Sequence, residues 1–119
     1  MAEVPKSLRR ELREVAKRAH DAELAQALGP LADAFEAWRK GRLSAAKLID
    51  QIHDFHDGVN REIYKRYAYR SPESAVSHAI ASRALDRTAV SPRLLAHLES
   101  GIQLHEELRA FEGIDDDDD

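Results

Sequence analysis

The sequence predicts an all-α protein built as a five-helix bundle. Apolar residues recur at three- and four-residue intervals along most of the chain, the period of a helix with one buried face. No stretch alternates apolar and polar residues as a half-buried strand does. Three strong breakers, Gly29–Pro30, Ser71–Pro72 and Ser91–Pro92, together with Gly41, cut the 119 residues into pieces of helical length. The expected helices span about 7–28, 30–40, 44–69, 72–87 and 92–112, joined by short loops. One domain is expected over 1–113, followed by a disordered acidic tail over 114–119.

The first helix follows a short lead, with Ser7 as its cap and Leu8, Leu12, Val15, Ala16 and Ala19 on one face. The phase of the apolar residues slips near His20–Asp21 before Leu24 and Leu28. Gly29 suits the end of this helix and Pro30 the first position of the next. In that second helix Leu31, Ala34, Phe35 and Trp38 share a face, and Gly41 closes it.

The third helix is the longest periodic run, capped by Ser44. At 100° per residue, Leu48, Ile49, Ile52, Phe55, Val59, Ile63 and Tyr67 fall in one arc of roughly 120°. His56 falls inside that arc and His53 at its margin, while Asp50, Asp54, Asp57, Arg61 and Lys65 face away. The stripe keeps phase across Gly58, so a single helix is expected, with Gly58 as its weak point and place of any bend. This helix is expected at the centre, with the fifth packed along it.

Ser71–Pro72–Glu73 starts the fourth helix, with Ala75, Val76, Ala79 and Ile80 inward and Arg83 on the same face. Ser91–Pro92 repeats the signal for the fifth, which carries Leu94, Leu95, Leu98, Ile102, Leu108 and Phe111 inward and ends at Gly113.

Composition narrows the function. The chain has no cysteine, which excludes disulfides, thiolate chemistry and cysteine-ligated metals. No N-terminal apolar run follows the first lysine and none is long enough to span a bilayer, so a cytoplasmic protein is expected. The net charge of −4 becomes +1 without Asp115–Asp119, which argues against a strongly basic nucleic-acid binder. Hydrophobic content is 43%, much of it alanine, so the core has little bulk and a homodimer covering a residual apolar face fits. No phosphate-binding glycine loop, dinucleotide fingerprint or nucleophile elbow occurs.

Two groups of side chains carry chemistry. Asp50, His53, His56 and Asp57 lie at i,i+3 and i,i+4 spacing and could offer ligands to a divalent metal, with His105 from the fifth helix meeting His56 across the pair. Bundle metal sites use such spacing on two helices, and no second copy is present. Arg61, Lys65, Arg66 and Arg70 interleave with Tyr64 and Tyr69, a pattern that grips phosphates and stacks on bases. Arg9, Arg10, Arg13 and Lys17 of the first helix would extend that surface if the two helices lie side by side. The plainer account is that these cations complement a helix C-terminus. Arg93–His97 and Arg70–His78 read as surface pairs.

The reading favoured is a small, non-catalytic helical interaction or regulatory protein without a cofactor, its partner another protein or a second copy of itself. Nucleic-acid binding through the basic residues, and metal binding through His53 and His56, are the alternatives.

Overall fold

The first helix does not stop at Gly29–Pro30. A computed structural model of the protein describes the backbone of residues 5–117 and the side chains through Glu112. In it α1 runs unbroken from Lys6 to Arg39, with Pro30 inside it. Proline in a helix interior removes one hydrogen bond and costs about 3 kcal/mol. The reason the helix survives is register: Leu24, Leu28, Leu31, Phe35 and Trp38 follow one another at intervals of four, three, four and three residues. Ending at Pro30 would split that stripe. Ser7 lies within the helix, and Pro5 precedes it without a side-chain cap.

Gly41, at φ 75°, turns the chain after α1. Ser44 caps α2, Ala45–Asp57, its hydroxyl accepting from the Lys47 amide at 3.1 Å. The expected single helix over 44–69 is broken at Gly58, whose φ of −102° and ψ of −94° are not helical, and α3 follows as Val59–Tyr69. A Cβ at Gly58 would sit 2.8 Å from the Asp54 carbonyl oxygen, so this corner depends on glycine. Since one residue separates α2 from α3, the chain forms four helical rods, α1, the bent α2–α3, and two more, rather than five helices.

Ser71 caps α4, Pro72–Ala81, and accepts from the Ser74 amide at 3.2 Å. This helix ends six residues before the expected 87, because Arg83 takes φ 65° and its amide bonds back to Ile80. Arg83 is thus an exposed helix terminator and not the inward-facing residue expected. After a one-turn 3-10 segment, Arg87–Ala89, Ser91 opens α5, Pro92–Asp117. Its hydroxyl accepts from the Leu94 amide and donates to Glu11 of α1 at 2.6 Å. The helix passes Gly113 and takes in residues 114–117 of the expected tail, since each added residue gains a backbone hydrogen bond. Residues 118–119 lie outside the described part. No strand occurs among the described residues.

The core sits between α1, α4 and α5. Leu8, Leu12, Val15 and Ala19 of α1 meet Val76, Ala79 and Ile80 of α4 and Leu94, Leu98 and Ile102 of α5. The rod α2–α3 is peripheral, contrary to the central place expected for it. Leu48 is the one buried side chain of α2, and Ile63 that of α3. The second half of α1 and α2 leave the body as a two-helix arm, closed by the turn at Gly41. This arm explains the dimensions of 57 × 34 × 25 Å and the radius of gyration of 17.2 Å, against about 13–14 Å for a compact chain of this length. Leu108 and Phe111, expected inward, are exposed because α5 outruns the helices it packs on.

Candidate functional site

The phase slip at His20–Asp21 marks the point where α1 stops facing the core and begins to face the arm. The core register of Val15 and Ala19 continues to position 23, where the residue is Glu23. Glu23 is 6% exposed, one of two buried polar or charged residues among those described. A carboxylate there needs compensation, and α3 supplies it. Arg66 Nη1 donates to Glu23 Oε1 at 2.8 Å, with the arginine side chain 16% exposed. Two long-range ties therefore pin α3 to the middle of α1: this ion pair and the stacking of Tyr67 on His20 at 4.7 Å between ring centroids. Burial first, and then the neighbouring carboxylate, push the Tyr67 phenol well above its usual range, so it stays a donor.

His78 of α4 brings Nε2 to 3.6 Å from Glu23 Oε1. That is too long for a hydrogen bond, and the ring is held neutral. Burial, and then the charges of Arg66, His105, Arg109 and Arg70, lower its pKa to about 4. His105 packs edge-on against His78 at 5.4 Å and is lowered in the same direction, by burial and then by Arg70 and Arg66. The pair is two neutral imidazoles in a cationic setting. Glu23 Oε2, Arg66 Nε and Tyr67 Oη are buried without a hydrogen bond of normal geometry. A cleft of about 550 Å³ opens beside them, with Glu23, Arg66, His78 and Arg109 in its wall.

The residues expected to bind metal are not brought together. Asp50, His53, His56 and Asp57 are all exposed, and His105 meets His78 instead of His56. His56 points outward because α2 packs on α1 through Leu48 and then ends at Gly58, so the stripe of the 44–69 segment is not buried as a whole. No three histidines or carboxylates among the described residues are placed to hold a metal ion.

The basic residues are divided. Arg9, Arg10 and Arg13 gather at the start of α1 around an open depression. Arg61 and Lys65 are exposed on α3, which lies against the middle of α1, so Arg10 is about 15 Å along the helix from His20. Lys17 is exposed and pairs with Glu14 at 3.7 Å. Arg66 is withdrawn from any outside partner by Glu23. Tyr64 and Tyr69 are exposed and meet edge-to-face at 6.1 Å. Arg70 remains exposed. Arg61, Tyr64, His56 and Asp57 line one open depression with His20.

The arm presents a different surface. Leu28, Phe35 and Trp38 of α1 are 42–46% exposed, and Ile49 of α2 and Val59 at the start of α3 are 51% exposed. Leu48, Ile52, Phe55 and Val59 repeat the four–three–four spacing opposite the α1 stripe. These are heptad seams, and a two-helix hairpin cannot bury two of them fully. No described helix is long and apolar enough to cross a membrane. No protein-family model, curated protein or solved structure matches the chain.

Proposed function

We propose that the protein is a non-catalytic helical interaction protein that self-associates through its arm. The observation carrying this reading is the half-exposed seam of α1 at Leu28, Phe35 and Trp38, with the exposed Ile49 of α2 and Val59 of α3 beside it. Two hairpins packed antiparallel would bury both seams as a four-helix bundle, the usual solution for such faces. An isologous contact of this kind uses the same patch on each copy.

Charge supports a second copy as the occupant. The tip of the arm carries Arg39, Lys40, Arg42 and Lys47, of which Lys40 pairs with Glu36 at 3.4 Å, and its base carries Asp54 and Asp57. Antiparallel pairing lays each basic tip beside the other copy's acidic base. The two bodies, with their Glu23 clusters, then project from opposite ends of the bundle.

Sedimentation velocity at about 5 and 500 μM tests this. A mass that moves from monomer toward dimer, or a dimer at both concentrations, agrees with the reading. A strict monomer at both overturns it.

A further inference from the structure

The two basic groups stand on one face of α1. At 100° per residue Lys6, Arg9, Arg10, Arg13, Lys17 and His20 share an arc of about 100°, turned away from the core residues Leu8, Leu12, Val15 and Ala19. The arc runs about 20 Å along the helix. Its first half is the open depression around Arg9, Arg10 and Arg13. Its far end is a groove of about 460 Å³, with His20 of α1 in one wall and Asn60, Arg61 and Tyr64 of α3 in the other.

Nothing in the fold accounts for these cations. Positive charge near a helix N-terminus opposes the helix dipole, and the first turn of α1 holds no acid to offset it. Among the described residues, Arg9, Arg10, Arg13 and Arg61 have no carboxylate partner, and Lys17 has Glu14. Lys6, Arg9, Arg10, Arg13, Lys17 and Arg61 stand against Glu14, Asp21 and Asp57, so the strip is positive although the whole chain carries −4. Such a row of cations suits a row of phosphates.

The rings beside them narrow the partner further. Tyr64 is 59% and Tyr69 76% exposed, and the two meet edge-to-face. Exposed rings next to arginines give unpaired bases a face to stack on, which an acidic peptide does not need. The Asn60 amide adds a donor and an acceptor for a base edge.

We propose that this strip binds a single strand of nucleic acid, its phosphates on Arg9, Arg10, Arg13 and Arg61 and a base on Tyr64. The strip lies on the body of the protein, uses none of the exposed apolar residues of the arm, and does not depend on self-association.

Fluorescence anisotropy of labelled RNA and DNA strands of about ten nucleotides, titrated with the full chain, tests it. At least one of them saturates below about 100 μM protein in about 50 mM salt. The logarithm of its binding constant falls with the logarithm of salt at a slope of about −3, since each of four phosphate contacts contributes about −0.7. Arg10→Gln/Arg13→Gln, at exposed positions, halves that slope. Tyr64→Ala, also at an exposed position, weakens binding about tenfold and leaves the slope unchanged. Circular dichroism checks that both variants are helical. A duplex of the same sequence binds at least about tenfold more weakly, because its bases are stacked on one another. The proposal falls if neither strand saturates, if the duplex or polyglutamate binds as tightly as the better strand, if the slope is flatter than about −1, or if the folded Tyr64→Ala protein binds like wild type.

Discussion

Replacing Phe35 by alanine bears directly on the arm. Phe35 is 42% exposed in the single chain. An aromatic side chain offers about 200 Å², so about 80 Å² remains for a partner to cover. At about 25 cal/mol per Å² that area is worth about 2 kcal/mol. A two-fold dimer covers it twice, and alanine retains part of it. The expected loss is about 3 kcal/mol of dimer, roughly a hundredfold rise in Kd. Sedimentation equilibrium of wild type and Phe35→Ala measures it, with circular dichroism confirming that both are helical. An unchanged Kd in a folded variant would show that the seam is not the contact, and the reasoning from register would fail.

Glu23→Gln leaves the Arg66 charge buried without its counter-ion and should cost about 3 kcal/mol in urea unfolding, most of it recovered in Glu23→Gln/Arg66→Met. Stability should rise with pH between about 4 and 6.5, because His78 has a lower pKa folded than unfolded and the unfolded chain binds the extra proton there. The full shift corresponds to about 3 kcal/mol, which solvent screening at the partly exposed ring reduces to about 1–2 kcal/mol. Urea midpoints at pH 4.5 and 7 should differ less in His78→Gln than in wild type, and an equal difference would remove His78 as the cause. Gly101→Ala places a Cβ 2.9 Å from Ser77 Oγ and 3.3 Å from its Cβ, where α5 crosses α4. Overpacking of about 2 kcal/mol outweighs the gain of about 1 kcal/mol in helix propensity, so thermal melting should show a net loss. The same change in a Ser77→Ala background should be close to neutral, and a lack of coupling would refute the close crossing.

Part of the candidate site is legible in the sequence. Glu23 stands four residues after Ala19 in the core register of α1, and a carboxylate at a core position calls for a cation. Arg66 belongs to the basic run expected to grip phosphates, and nothing local separates it from Arg61 or Lys65. Only the docking of α3 on α1 selects it. Helical phase places His56 inward because it locates a stripe without saying whether anything lies opposite it. The same limit explains Leu108 and Phe111, which share a face that no other helix reaches.

The sequence alone determined the helical class, the caps at Ser44, Ser71 and Ser91, and the outward face of Asp50, Asp54, Asp57, Arg61 and Lys65. These follow from hydrogen bonds and periodicities that act within a turn or two. The tertiary structure decided that α1 continues through Pro30, that Gly58 makes a corner, and that α1, α4 and α5 hold the core. Each of those outcomes balances a local cost of a few kcal/mol against packing between residues far apart in the chain, and short-range signals carry only the first half of that balance.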